Sequence, residues 1–249
     1  TIVVDHSVTT RIKRAEIITN EGIRAGSVIV GLASCGTARY ETGYNSGMGS
    51  NGLSSARHDV FHRLLAQKYP ESYDPRVPTD LAYTGSYDLL NQTWTARIDD
   101  SLDELHNSPK PIPTMGKMVL SPTRTYAPVM KEILSNHRQS IHGLIHCTGG
   151  GQTKVMKFVD QLHIVKDKLL PTPPLFQVIH HESQTDWREM YQVFNMGHRL
   201  EIYTDEKAAD EMTSIARSFG VEAQIIGYVE ASDKTRLSIR SRHGEFVYA

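Results

Sequence analysis

The sequence predicts an α+β fold: a mixed, largely antiparallel sheet with helices packed against it. Short β-branched segments and amphipathic segments follow one another irregularly along the 249 residues. The last three predicted strands are close enough in sequence to form hairpins. A doubly wound parallel sheet would instead require regular alternation of strands and helices, so we do not expect one.

The N-terminal part contains two predicted strands, a glycine-containing loop and one long helix. The strands cover residues 2–12 and 27–32, where β-branched residues dominate. Residues 33–50 form the loop, which ends in the sequence GMGSNG. Apolar side chains then share one face over residues 52–69, which predicts an amphipathic helix.

Residues 70–116 are rich in proline and lack periodicity, so we expect an irregular insertion there. After it, helical and strand patterns resume. We predict helices at 123–136, 174–182, 185–194 and 205–219, and strands at 141–148, 162–165, 199–203, 222–230, 235–240 and 245–248. The strand 141–148 leads directly into three glycines, and another helix is expected between them and residue 159.

Composition excludes several classes of function. Lys and Arg number 27 against 28 Asp and Glu, a net charge of -1, so neither a nucleic acid polymer nor an anionic membrane is the expected partner. The sequence shows neither a long uncharged apolar run nor a signal peptide. The two cysteines, Cys35 and Cys147, are too few for a disulfide framework. We therefore expect a cytoplasmic protein.

The strongest local signal is the sequence HCTGGGQTK at residues 146–154. Three consecutive glycines allow the backbone to turn sharply and to approach a ligand closely. A helix after them would present free N–H groups, which suit a phosphate. A tight turn that binds nothing explains the pattern equally well, and the spacing is not that of a P-loop.

The sequence GMGSNG follows the same logic. Ser50 and Asn51 carry polar groups that can bond a ligand, and Gly49 and Gly52 let the backbone approach it. The alternative is an ordinary helix N-cap. If both glycine-rich segments bind, we expect them to converge on a single anion site.

His58 and His62 stand four residues apart in the predicted helix 52–69, a spacing that allows two ligands to share a metal ion. However, no glutamate follows His58 as it does in zincins, and no third ligand suggests itself. We assign no metal site.

Seven segments occur in a fixed order within residues 7–248. They are AGSVIVGLASCG, GSNGLSSAR, LSPTRTYAPVM, IHGLIHCTGGGQTK, PTPPLFQVI, EMYQVFNMGHRLEIY and AQIIGYVE. Together they resemble the C-terminal half of the aminoimidazole ribonucleotide synthetase family, whose members are also called phosphoribosylformylglycinamidine cyclo-ligases. The combination is more specific than any single segment.

The resemblance implies a ligase of purine biosynthesis that closes the imidazole ring of aminoimidazole ribonucleotide from formylglycinamidine ribonucleotide. ATP and Mg²⁺ would bind to an N-terminal half that carries an Asp-Gly-x-Gly-Thr-Lys motif, which this sequence lacks. Residues 1–14 would be the last strand of that missing domain, and residues 15–249 the C-terminal α+β domain. We expect a homodimer in the intact enzyme, and an inactive chain without bound cofactor in the absence of the other half.

The resemblance also implies the site residues. The expected ribonucleotide- and phosphate-binding residues are Ser50, Asn51, Gly52, Thr148, Gly149, Gly150, Gly151, Asn195 and Gly197. His146 is the candidate catalytic residue. The common family pattern is Gly-Pro-His-Ser-Asn-Gly, and here Gly49 takes the place of the histidine. His146 and His58 are the possible replacements.

Two alternatives remain open. One is a related ATP-dependent enzyme, such as formylglycinamidine ribonucleotide synthetase, thiamine-monophosphate kinase or selenophosphate synthetase; the Phe-Asn-Met-Gly and Ser-Pro-Thr-Arg segments favour the cyclo-ligase. The other is a non-catalytic ligand-binding or dimerisation domain, which absence of turnover with the N-terminal half would favour. Residues 1–14 are expected to project from the domain and to be either mobile or paired with a second copy, with pairing favoured.

Overall fold

A computed structural model of the chain describes residues 7–93 and 113–249. Within these ranges it contains nine strands and seven α-helices. The strands are β1 (Val28–Ala33), β2 (Cys35–Gly36), β3 (Asn45–Ser46), β4 (Ile141–His146), β5 (Leu162–Lys166), β6 (His198–Thr204), β7 (Ala223–Ala231), β8 (Arg236–Ser241) and β9 (Gly244–Tyr248). The helices are α1 (Leu53–Val60), α2 (Arg63–Lys68), α3 (Met115–Val119), α4 (Ala127–His137), α5 (Pro174–Ser183), α6 (Trp187–Val193) and α7 (Glu206–Ser218).

Seven strands form one sheet in the order β4-β6-β1-β7-β5-β8-β9, and β2 and β3 form a small separate hairpin. In the large sheet, β1 is paired antiparallel on both sides, with Val28 opposite Thr204 of β6 and Tyr228 of β7. Among the described strands of this sheet, only the neighbours β5 and β8 run parallel. The predicted α+β class with a mixed, largely antiparallel sheet is confirmed.

Helices cover both faces of this sheet because successive strand residues point to opposite sides. In β1, Ile29 packs into the core beneath α1, α2, α3, α5 and α6, whereas Val30 packs into the core beneath α4 and α7. Both side chains are fully buried. The continuous apolar run of the strand is thus explained by burial on two faces.

The β4 edge of the sheet is covered by the segment that precedes β1. The side-chain oxygen of Asn20 accepts the N–H of Leu144 at 3.0 Å. Gly143 packs so closely on Ile23 that a Cβ there would lie 2.6 Å from its side chain. The edge is therefore unavailable for pairing at this point.

The predicted single helix 52–69 is wrong, because the chain breaks between α1 and α2. Phe61 and His62 are extended and form isolated β-bridges with Tyr87 and Thr84. His62 then becomes the N-cap of α2, where its Nδ1 accepts the N–H of Leu64 at 3.3 Å. The two histidines thus belong to different elements, which removes the helical spacing on which the metal hypothesis depended.

Three further expectations change. The helix after the glycines is a 3-10 helix over Gly151–Lys157, so its end offers less of an α-helical dipole. The expected insertion 70–116 ends in the short helix α3, while residues 94–112 lie outside the described ranges. Asp205, the first residue of the predicted helix 205–219, instead precedes α7 and makes no side-chain cap bond; its carboxylate faces His142 at 3.2 Å.

The predicted strand 2–12 is not formed in its described part. Residues 7–13 belong to no strand and are exposed, with Val8 91% exposed. Residues 2–6 lie outside the described ranges. The origin of this segment in a missing domain stays a prediction.

No helix within residues 7–93 and 113–249 combines the length and the apolar character needed to cross a bilayer.

Candidate functional site

Hydrogen bonds and close packing fix the loop before α1, residues 47–52. The N–H groups of Gly49 and Ser50 donate to the carbonyl of Ser121 and the hydroxyl of Thr123, both at 3.2 Å. Gly52 has a φ of 76°, and a Cβ there would lie 2.5 Å from the ring of Phe194. The loop therefore requires glycine where the predicted site lies.

The glycine turn, residues 149–151, follows β4 after two residues. All three glycines have positive φ, at 50°, 111° and 48°, in the region that disfavours side chains. Gly151 also lies against the backbone of α6, where a Cβ would be 2.5 Å from the oxygen of Phe194 and 2.6 Å from that of Tyr191. The sequence left ligand approach and a tight, closely packed turn as alternatives, and packing accounts for Gly151.

The loop and the glycine turn lie side by side. A Cβ on Gly149 would be 3.9 Å from the side-chain oxygen of Asn51. The amide group of Asn51 donates to the carbonyl of Val193 at 2.8 Å, next to Phe194, which contacts both Gly52 and Gly151. The single shared site that the sequence hypothesis requires is therefore geometrically possible.

Asn195 and Gly197 support these loops from behind. Asn195 is 3% exposed; its side-chain oxygen accepts from the hydroxyl of Ser34 at 2.6 Å, and its amide donates to the carbonyl of Gly47 at 2.9 Å. Gly197 is buried against Pro171, whose oxygen would be 2.8 Å from a Cβ. Both residues thus hold the loops in place, and their expected part in ribonucleotide binding stays a prediction.

Ser50, Asn51, Thr148 and Gly149 reach the surface. His146, at the end of β4, is also exposed. Partial burial of its ring, followed by the positive charges of Arg199 and Lys154, lowers the pKa of His146. The charges that act at this surface are cationic, which suits an anionic ligand.

His58 belongs to a different cluster. Its Nδ1 accepts the N–H of Tyr83 at 3.2 Å, and its ring packs against Tyr73 and Tyr83 with centroids 6.2 and 5.0 Å away. This engagement explains the histidine by packing and removes it as a replacement for a side chain at position 49.

A buried charge network lies beneath the glycine turn. The Lys166 ammonium donates to the carbonyl of Gln152 at 2.7 Å and to the carboxylate of Glu201, while Gln152 donates to the carbonyls of Asn195 and His198. Burial raises the pKa of Glu201, but Lys166 and then His198 outweigh it and lower the pKa to about 2. This network was not predicted, although charged residues inside two buried strands were a visible signal in the sequence.

Cys147, His198 and Glu201 form the one group in the described ranges whose ligand atoms lie close enough to share a metal ion, within 4.8 Å. However, the ammonium of Lys166 is already bonded to the Glu201 carboxylate. The Glu201 carboxylate therefore already has a cationic partner, whereas the Nδ1 of His198 is buried without a hydrogen-bond partner among the described residues.

A family profile described as AIR synthase related protein, C-terminal domain, matches residues 100–240. The chain belongs to this family. It is also similar to the enzymes named phosphoribosylformylglycinamidine cyclo-ligase of Methanocaldococcus jannaschii, with 29% identity over 88% of the chain and 49% of the relative, and of Methanopyrus kandleri, with 28% identity, 86% and 46%. This AIR synthase domain chain thus spans about half the length of the curated relatives it matches.

Solved structures similar to this AIR synthase domain chain include T. maritima PurL complexed with FGAR. That protein shares 13% identity over 94% of the chain and 29% of its own length, at a TM-score of 0.45. E. coli HypE, a hydrogenase maturation protein, shares 14% identity over 94% and 52%, at a TM-score of 0.44.

Proposed function

We propose that this chain supplies the ribonucleotide-binding part of an ATP-dependent cyclo-ligase, which forms the imidazole ring of aminoimidazole ribonucleotide from formylglycinamidine ribonucleotide. The observation that carries this proposal is the juxtaposition of Asn51 and Gly149 in a chain of the AIR synthase family. The names of the cyclo-ligase relatives support this enzyme over the other ATP-dependent members of the superfamily.

The ligand group that fits between the two loops is a phosphate. The backbone N–H groups of Asn51, Gly52, Gly149 and Gly150 have no acceptor within the described part of the chain. Converging backbone donors of this kind favour phosphate oxygens. Lys154 adds a cation at the rim, with its ammonium 3.2 Å from the carbonyl of Gly149.

We assign the proton transfer of ring closure to His146. When the neighbouring nitrogen attacks the carbon whose amide oxygen has been phosphorylated, the bond from that carbon to the oxygen breaks, phosphate leaves, and the nitrogen must lose a proton. An imidazole accepts a proton only while it is neutral. The lowered pKa of His146 keeps this side chain neutral near pH 7. Its exposed position at the end of β4 leaves it accessible to a ribonucleotide bound at the glycine turn.

The loop 47–52 and the glycine turn 149–151 do not suit ATP bound together with Mg²⁺. The charges that shift the pKa of His146 are those of Arg199 and Lys154, both positive, whereas Mg²⁺ binds carboxylate oxygens. ATP would supply the phosphoryl group that activates the amide oxygen. We propose that ATP and Mg²⁺ bind to a second half of the protein, and that the complete enzyme is a cytoplasmic homodimer.

Gly150→Ala tests the phosphate assignment, with Gly26→Ala as a matched control. Both glycines have positive φ, 111° and 87°, and a Cβ at either meets no atom closer than 3.8 Å. The two changes therefore impose similar backbone strain, but only Gly150 belongs to the site. Calorimetric titration of aminoimidazole ribonucleotide should show affinity about tenfold weaker for Gly150→Ala and unchanged for the control. Equal affinities would reject the site.

Activity is tested by mixing the chain with an ATP-binding half of a relative and by assaying the complete protein. ATP-dependent formation of aminoimidazole ribonucleotide is expected only when both halves are present. ATP consumption with a different acceptor would indicate another superfamily activity. Ribonucleotide binding without turnover in the complete protein would indicate a non-catalytic binding domain.

A further inference from the structure

The guanidinium of Arg199 lies where a side chain at position 49 would be. Arg199 is 1% exposed, and an ideal Cβ on Gly49 would be 2.5 Å from its Nη2 and 2.8 Å from its Cζ and Nη1. Contacts below 3.0 Å are essentially absent for real Cβ atoms. Any residue other than glycine at position 49 must therefore displace the guanidinium.

Arg199 also fixes the backbone on both sides of the proposed phosphate site. Its Nη2 donates to the carbonyls of Gly47 and Met48 at 2.8 and 2.7 Å, directly before Gly49. Its own carbonyl accepts the N–H of Cys147 at 2.6 Å, at the start of the connection to the glycine turn. One residue of β6 thus holds two segments that are distant in sequence.

Arg199 differs from Arg124, the other buried arginine in this region, in its ion pairing. Arg124 is paired with the carboxylate of Glu41 at 2.7 Å. Arg199 has no carboxylate partner within residues 7–93 and 113–249, and its Nε is buried without a hydrogen-bond acceptor there. A buried cation without a counter-ion costs stability, and such costs are typical of functional sites.

We infer that Arg199 is the positioning residue of the phosphate site, and that it replaces, in both space and charge, the side chain that Gly49 lacks. Its bonds to Gly47 and Met48 set the path of the loop toward the glycine turn. Its unpaired charge adds positive potential beneath a bound phosphate monoester. This inference rests on the proposed function for its ligand, whereas the interlocking of Arg199 with Gly49 is independent of any ligand.

The pKa of His146 responds to the charge of Arg199. Burial of the ring lowers this pKa most, and the positive charge of Arg199 is the next largest cause, ahead of Lys154. His58, the other histidine considered as a replacement for position 49, is bonded to Tyr83. Arg199 therefore both occupies the space of a side chain at position 49 and acts on His146 with a positive charge.

A thermal double-mutant cycle in the 249-residue chain tests the interlocking without a ligand. Gly49→Ala should lower Tm through its positive φ of 61° and through its clash with the guanidinium. In the Arg199→Met background the clash is removed, so the same change should lower Tm by no more than half as much. Equal Tm losses in both backgrounds would overturn the interlocking. Arg199→Lys serves as the second background if Arg199→Met does not fold.

Inorganic phosphate and NMR titration of His146 test the charge. Arg199→Met should weaken phosphate binding on the order of tenfold and raise the pKa of His146, because a positive charge that lowers it is removed. Arg199→Lys, which keeps the charge, should restore most of both effects. An unchanged His146 titration in Arg199→Met would reject the electrostatic role. Failure of the unaltered chain to bind phosphate would reject the proposed site, while the titration and the thermal cycle would still decide the role of Arg199.

Discussion

Lys166 and Glu201 form an ion pair in which neither side chain is exposed to solvent. Glu201 accepts further bonds from the hydroxyl of Tyr203 at 2.8 Å and from the imidazole of His198 at 3.0 Å. Lys166 reaches from this pair to the carbonyl of Gln152, in the 3-10 helix that begins at Gly151. The pair therefore connects the central sheet to the glycine turn.

Glu201→Gln should lower the free energy of unfolding by about 3–5 kcal/mol, because it leaves the Lys166 ammonium buried without its counter-ion. Urea denaturation measures the loss. The matched control is Glu245→Gln, which removes an exposed ion pair with Arg240 and should cost far less, because solvent screens an exposed pair. Similar losses in both variants would contradict the structural importance of the buried pair.

The same carboxylate predicts an acid-sensitive stability. The pKa of Glu201 is about 2 in the folded protein, below its ordinary value of 4.5. A lowered folded pKa stabilises the protein above the unfolded pKa, and this contribution disappears as the pH falls from about 4.5 to about 2. The free energy of unfolding should fall more steeply across this window than in Glu201→Gln. Parallel pH profiles would show that the charge is not responsible.

Local patterns in the sequence were sufficient to locate most strands and helices. The predicted strand 222–230 is observed as Ala223–Ala231, and the predicted helix 174–182 as Pro174–Ser183. Both depend on periodicity within one segment, which the sequence displays directly. The break between α1 and α2 depends instead on bridges to Tyr87 and Thr84, which no local pattern reveals.

For the candidate site, local patterns located the two glycine-rich segments, and the role of these segments in binding stays a prediction. The two glycine-rich segments were recognisable because glycine has few reasons to occur in clusters other than backbone geometry. Arg199 was not recognisable, since its contact with Gly49 joins positions that are far apart in the sequence. Its role depends on tertiary packing, as does the ion pair of Lys166 with Glu201.

Gly151→Ala should be much more damaging than Gly150→Ala. A Cβ at Gly151 would lie 2.5 Å from the oxygen of Phe194, whereas one at Gly150 would have no neighbour closer than 3.8 Å. We expect a loss of unfolding free energy of about 3 kcal/mol or more at Gly151, and about 1–2 kcal/mol at Gly150. Thermal or urea unfolding of the two variants, measured side by side, checks the order; the reverse order would contradict the packing against α6.

Deletion of residues 1–13 should leave the stability of the domain unchanged. Residues 7–13 are exposed and belong to no strand, and Val8 buries almost nothing at 91% exposure. If the segment pairs with a second copy, the deletion should instead convert dimers to monomers, as measured by light scattering. A lower Tm at a concentration where both proteins are monomeric would show that the segment packs on its own domain.

Phosphate binding should strengthen as the pH falls through the lowered pKa of His146, because the imidazole then gains a proton at the edge of the anion site. The sign follows from its lowered pKa: the imidazole is neutral at pH 7, and burial together with the charges of Arg199 and Lys154 delays its protonation to more acidic pH. His146→Gln should remove this pH dependence and leave the affinity at pH 8 unchanged, since both side chains are uncharged there.

His163→Gln is the control, because His163 bonds Ser238 and Glu230 on the other strands of the sheet. Phosphate titrations between pH 5.5 and 8, corrected for the second ionisation of phosphate itself, measure the slope. A slope that persists in His146→Gln would place the titrating group elsewhere and would remove His146 from the site.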